Sequence, residues 1–149
     1  MSSLAAPAER ASFVLLRADT LRLVLPQQDV GLAEYMESEP LATGEPGLFE
    51  YAVGDACRIV AALSPALRPL EVFPGGRFVL TALRADGAEL CLAWDEVRVL
   101  IDAQLQAQPL PPALRTRSGP IQGYAEHAGQ LLLCTTAQRL LAYAVGAGE

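Results

Sequence analysis

At 149 residues, with 52% of them hydrophobic, the chain can bury a sizeable core, and this composition excludes a wholly disordered protein. A formal charge of −6 at pH 7 and an isoelectric point near 4.8 argue against a nucleic-acid binder, whose affinity rests on a basic face that neutralises phosphates. All 11 basic residues are arginine, and neither lysine nor asparagine occurs, which excludes Schiff-base chemistry, a Walker-type phosphate loop and N-glycosylation.

Residues 1–10, rich in Ala and Ser, read as a loose tail, and the polar opening Met1–Glu9 lacks the apolar centre of a signal peptide. No apolar run reaches the roughly 20 residues that span a bilayer, so no membrane insertion is expected. Ser12–Arg17 and Leu21–Leu25 form a first hairpin that Pro26 ends. Asp29–Met36 reads as a short strand, followed by a Gly/Pro/Glu-rich loop over 37–47. From Leu23 to Cys57 there are seven acids and no base: Asp29, Glu34, Glu37, Glu39, Glu45, Glu50 and Asp55. Such an interval is either a solvated loop or a face for a basic partner.

Leu48–Val53 and Cys57–Leu63 pair around Gly54-Asp55, and Ser64-Pro65 can open one helical turn to Leu67, stopped by Pro69. Pro74-Gly75-Gly76 makes a turn, and Phe78–Ile101 then holds the strongest hairpin signal, two apolar runs around Asp86-Gly87. Gln104–Pro112 reads as a polar connector. Gly123–Glu126 and Gln130–Cys134 flank a turn at His127-Ala128-Gly129, and Thr135 or Thr136 can cap a final helix, Ala137–Tyr143. About ten short strands with one or two short helices describe an all-β barrel protein.

The chain also repeats itself. Phe13-Val14-Leu15, Arg17-Ala18-Asp19, an apolar strand and Asp29-Val30 return as Phe78-Val79-Leu80, Arg84-Ala85-Asp86, Leu90–Trp94 and Asp95-Glu96-Val97. Glu50-Tyr51-Ala52, Ile59-Val60 and Leu67 return as Gly123-Tyr124-Ala125, Leu132-Leu133 and Leu140. Two copies of a half-domain follow, over 11–73 and 74–145 of a single domain.

Catalytic and metal constellations are nearly absent. His127, the sole histidine, falls in a turn, and Cys57, Cys91 and Cys134 are far apart with no C-x-x-C spacing. Their odd number and apolar settings predict reduced, buried thiols of a cytoplasmic protein. Asp95 and Glu96 are adjacent in an extended run, so their carboxylates point to opposite faces and do not converge on a substrate. Trp94 reads as a core or seam residue. No cofactor or metal is expected, and no enzyme activity.

The step Trp94-Asp95-Glu96-Val97 resembles the V-D-x-V step of CheW-like domains, the coupling proteins of bacterial chemosensory arrays. Phe13 to Val30, with Leu25-Pro26, resembles the family's opening segment. Gln122-Gly123-Tyr124, Gln130–Cys134 and Arg139-Leu140-Leu141 resemble its closing one. The resemblance runs from Ser12 to Tyr143 and implies two intertwined SH3-like five-stranded β-barrels in a divergent member. It implies a cytoplasmic, non-catalytic adaptor that couples chemoreceptors to a CheA-like histidine kinase, in a chemosensory or type IV pilus (twitching) array. The family's central strand ends in N-L-R-G, whereas Tyr51-Ala52-Val53-Gly54-Asp55 stands here, so a neutral and acidic stretch replaces a positive charge. The candidate partner-binding residues are Glu50, Gly54, Asp55, Arg58, Asp95 and Val97. The alternative is a small-molecule-binding or hydrolytic β-barrel that uses Asp95 and His127 around an internal pocket.

Gly87 at the hairpin tip requires positive φ. Gly87→Val therefore lowers stability by about 1 to 3 kcal/mol, and Gly87→Asn by less. Chemical denaturation checks this, and an unchanged midpoint for the valine variant places the turn elsewhere.

Overall fold

In the computed structural model the described residues are 12–31, 33–85, 87–100, 105–111 and 120–146. The apolar runs form strands in the expected order. They are β1 (Phe13–Ala18), β2 (Leu21–Pro26), β3 (Glu34–Tyr35), β4 (Leu41–Ala42), β5 (Phe49–Val53) and β6 (Ala56–Ala61). After these come β7 (Val79–Ala85), β8 (Ala88–Trp94), β9 (Glu96–Leu100), β10 (Gln108–Pro109), β11 (Gly123–His127) and β12 (Gln130–Cys134), and then one helix, α1 (Ala137–Gly146). Gly87 has φ of +79° with open space around it, as the hairpin reading required. The tail over 1–10 and the ends of the connector, Gln104 and Pro112, lie outside the described residues, as does Asp86.

Two six-stranded sheets result, ordered β10-β11-β12-β2-β1-β9 and β3-β7-β8-β6-β5-β4. Read from opposite ends they are the same sheet twice: β9-β1-β2-β12-β11-β10 matches β3-β7-β8-β6-β5-β4 place for place. Each contains one parallel ladder, Leu133↔Leu23 and Cys134↔Val24 in the first and Val60↔Cys91 and Ala61↔Leu92 in the second. The expected count was five strands per lobe. The sixth arises because β3, β4 and β10 are two-residue pieces, too short to leave a periodic signal in sequence. The expected strand Asp29–Met36 shrinks to Val30, bridged to Leu83, and β3.

Each sheet draws on both halves of the sequence. The segment 11–73 supplies β1 and β2 to the first sheet and β3–β6 to the second; β9–β12 complete the first and β7–β8 the second. The crossings fall at the repeated acid–valine steps. Val30 leaves β2 and bridges Leu83 of β7, and Val97 leaves β8 and pairs with Leu16 of β1. Both valines pack against the same core.

That core lies between the sheets. Val14, Leu16 and Ala18 of β1, Leu23 and Leu25 of β2, Leu83 of β7, Leu92 and Trp94 of β8, and Leu140 and Leu141 of α1 meet there. Intervening residues turn to smaller cores inside each lobe: Leu15, Val24, Leu100 and Leu132 in one, Phe49, Tyr51, Val60, Leu80 and Ala93 in the other. The central strands are thus buried on both faces over much of their length, which is why β1 opens with the unbroken apolar run Phe13–Leu16 and β8 closes with Leu90–Trp94, while β2 alternates only around Arg22. Trp94 is fully buried and donates its indole N–H to Thr81 Oγ1 at 2.9 Å. The helix starts as its sequence suggested, with Thr136 Oγ1 accepting from Arg139 N at 3.2 Å, and Asp29 Oδ2 adds a cap from the crossover by accepting from Ala137 N at 3.0 Å.

The helical turn expected at Ser64–Leu67 is a β-turn: Leu67 N donates to Ser64 O at 2.7 Å, and Leu63 bridges Pro69. Leu67 takes φ of +65° and thereby buries its side chain in the core between the sheets. Gly123 admits no side chain, because a Cβ there would stand 2.3 Å from Gln108 O across the β10–β11 pair.

A fragment of residues 1–73 would leave β1 without β9, β2 without β12, β3 without β7 and β6 without β8. Such a fragment is expected to show neither dispersed amide resonances nor cooperative unfolding. A cooperative transition in the isolated fragment would refute this interdependence.

Candidate functional site

Arg77, on the link between the two halves, is 1% exposed. Its Nη1 donates to Leu63 O at 2.6 Å and its Nη2 to Asp19 Oδ2 at 3.3 Å, while Nε stands 3.6 Å from Asp95 Oδ2, within ion-pair range and beyond hydrogen bonding. Asp95 Oδ2 also accepts from Asp19 N at 2.6 Å, and Asp95 N donates to Arg17 O at 2.8 Å. Asp19, which has φ of +56°, Asp95 and Leu63 come from three separate turns, and one guanidinium ties them. Arginine suits this place because its planar fork hydrogen-bonds a carbonyl and one carboxylate while its charge faces a second carboxylate. Sequence reasoning missed Arg77, since nothing in Gly76-Arg77-Phe78 marks a buried cation.

Asp95 and Val97, expected to contact a partner, are part of this framework. Asp95 is held by Asp19 and Arg77, and Val97 is half-buried against the core between the sheets. Glu96 turns the other way, accepting from Arg17 Nε at 3.1 Å and Arg98 Nη2 at 2.6 Å, so the two adjacent carboxylates diverge as expected. The hydrogen bonds from Arg17 and Arg98 hold the Glu96 carboxyl below the usual carboxylate range. Its contribution to stability is therefore present above that range and is lost as pH falls through the lowered value.

Glu50, Gly54, Asp55 and Arg58 share the β5–β6 hairpin. Gly54 has φ of +60° in the turn, Asp55 is exposed beside it, and Glu50 is exposed opposite Ile59. Arg58 pairs with Glu34 at the mouth of the second lobe, an open cleft of about 520 Å³ that also holds Arg84, Glu89, Cys57 and Cys91. Arg84 Nε reaches Glu89 Oε2 at 3.0 Å, so both arginines of this mouth are already matched by carboxylates. No hydrogen bond or ion pair among the described residues joins the β5–β6 hairpin to Asp95 or Val97. His127 ends β11 opposite Gln130 and has no such link to Asp95. Among the described residues no cluster of three or more His, Cys, Asp or Glu is placed to hold a metal ion, and no helix is long and apolar enough to cross a membrane.

The thiols, expected to be buried, are not fully so. Cys91 and Cys134 are half-buried, but Cys57 is exposed, because the first half of β6 extends past the cover of either core.

No family model matches the chain, and no curated protein matches it in sequence. Among solved structures, the scaffolding protein TtCheW from Thermoanaerobacter tengcongensis matches 85% of this chain and 88% of its own with a TM-score of 0.60 at 14% identity. The fold is CheW-like. At that identity the likeness is one of backbone architecture, and the CheW-like pattern read in the sequence is that of a divergent chain.

Two measurements test these assignments. Arg77→Ala leaves Leu63 O without its donor and Asp95 without its cation, and is expected to lower the unfolding free energy by about 3 kcal/mol, with Arg77→Met costing less. Equal denaturation midpoints for wild type and Arg77→Ala would exclude the clamp. Maleimide labelling followed by mass mapping is expected to modify Cys57 first. Burial raises the thiol pKa of Cys91 and Cys134, so their reaction accelerates only at more alkaline pH. Faster labelling of Cys91 than of Cys57 would contradict the assigned exposures.

Proposed function

We propose that this chain is a cytoplasmic, non-catalytic adaptor of the CheW kind that couples chemoreceptors to a CheA-type histidine kinase, in a chemosensory or type IV pilus array. The observation that carries the proposal is the CheW-like fold over 85% of the chain. Exposed large apolar side chains, Tyr35, Leu41, Ile59 and Val72 among them, support an interaction protein. A hydrolytic or small-molecule barrel needs an enclosed site with convergent polar groups. Asp95 and His127 are not joined, and the clefts around the β5–β6 hairpin are open to solvent.

In this reading Glu50, Gly54, Asp55 and Arg58 meet the partner directly. Asp95 and Val97 act through the framework by setting how the lobes are joined. The acidic Asp55, beside the place where the family carries arginine, selects a partner whose facing surface has lost acidity or gained base.

Capture of partners from the native cell with the tagged protein tests the function. Co-purification of a chemoreceptor and a CheA-like kinase is expected, and recovery of neither overturns the reading. Asp55→Arg, in an exposed turn, is expected to fold normally and to associate with the captured partner roughly tenfold more slowly at low salt, with the difference shrinking at high salt. Identical association rates at low salt would remove Asp55 from the interface.

A further inference from the structure

The outer face of β4, β5 and β6 is uncovered. Leu41 stands opposite Glu50, and Glu50 opposite Ile59. Directly paired residues of an antiparallel ladder share a face, so these side chains form one row across the strands. Leu41 is 73% exposed and Ile59 43% exposed, two aliphatic groups with a carboxylate between them. Beside the row runs an open groove of about 730 Å³ lined by Glu45, Pro46, Leu48, Glu50 and Ile59 together with Thr43 and Gly44. Leu48 packs against the core between the sheets, which anchors the groove to the interior.

The electrostatics are one-sided. Of the seven acids between Leu23 and Cys57, Glu34 is paired with Arg58 and Asp29 caps α1. Glu37, Glu39, Glu45, Glu50 and Asp55 make no ion pair with any described residue. Two of these unmatched acids line the groove, and no arginine does. By contrast, the carboxylates of Glu96 and Glu89 are matched, at Arg17–Glu96–Arg98 and Arg84–Glu89. A groove with aliphatic walls at Pro46, Leu48 and Ile59 and unmatched carboxylates at Glu45 and Glu50 is complementary to aliphatic side chains flanked by cations.

We propose that the β4–β5–β6 face docks a partner segment carrying an aliphatic residue flanked by arginine or lysine. The aliphatic group enters the groove against Leu48 and Ile59, and the cations meet Glu45 and Glu50. The proposal rests on the adaptor reading, because it names the chemistry of a partner which that reading requires. A second copy of this chain is a poor occupant, since it brings the same carboxylates on a molecule of net charge −6.

The test titrates the full-length, isotope-labelled protein with a synthetic peptide of alternating leucine and arginine, and with its glutamate-for-arginine counterpart, following amide resonances. The basic peptide is expected to move resonances at Thr43–Leu48, Glu50 and Ile59, and the acidic one none. Binding should weaken about tenfold in the double variant Glu45→Gln, Glu50→Gln, and comparably in Ile59→Ser, and should weaken with added salt. All three side chains are exposed or line an open groove, and unchanged melting curves confirm that the variants fold. Absence of shifts, shifts scattered over the surface, or equal binding by the variants overturns the proposal, as does a concentration-dependent dimer that Ile59→Ser abolishes. Capture of native partners separates this result from the adaptor reading. Equal capture by wild type and the double variant rejects this docking face and leaves the adaptor standing. No capture by wild type rejects the adaptor, while the peptide shifts still decide the chemistry of the face.

Discussion

Arg77 is the point through which the two lobes constrain each other. Its guanidinium is removed from solvent and reaches a carbonyl at the end of β6, a carboxylate in the β1–β2 turn and a carboxylate at the β8–β9 crossing. A buried cation is tolerated only where such partners converge, so the conformations of three turns are coupled to one side chain. Around it the aliphatic core between the sheets supplies the bulk of the burial, with Trp94 and Leu16 at its centre and α1 closing one side. A polar tie inside an otherwise apolar seam fixes how the sheets meet, whereas apolar packing alone is less particular about orientation.

The crossings explain why the halves are interdependent. Asp29 caps α1 and Asp95 caps the β1–β2 turn, from positions one residue out of step in the two crossings, and Val30 and Val97, which do match, carry the chain into the opposite sheet. Each acid satisfies backbone N–H groups of an element far away in sequence. Asp95 and Val97, read as part of a family motif, are therefore, in this molecule, parts of the joint between lobes.

The two sheets share one strand order, and the residue matches read in the sequence are shifted against it. Sequence similarity aligned Tyr51 with Tyr124, but the hairpin turns place Val53 and Ala56 against His127 and Gln130, so Tyr51 corresponds to Ala125. Burial agrees: Tyr51 and Ala125 are buried and Tyr124 is only half-buried. A slip of one residue exchanges the two faces of a strand, so the resemblance of the tyrosines does not carry over to their surroundings. In the other pair the turns align Arg17 with Arg84, two residues out of step with the match of Phe13 to Phe78, and an even slip preserves the faces. Leu16 and Leu83 accordingly occupy equivalent places in the core.

The sequence by itself determined the all-β class, the four hairpins, the terminal helix with its threonine cap, the glycine-dependent turn at Gly87 and the divergence of Asp95 from Glu96. These depend on near neighbours, on periodicity and on the φ preferences of single residues. It also supplied the acidic interval from Asp29 to Asp55, but not which acids are matched. That was decided by tertiary structure, which brought Arg58 to Glu34 and Asp29 to α1 and left Glu45 and Glu50 unmatched beside Ile59. The burial of Arg77, the exposure of Cys57 and the two-residue strands were likewise settled only by the fold. Each depends on groups far apart in the chain meeting at one point, and such meetings leave no periodic trace in a sequence.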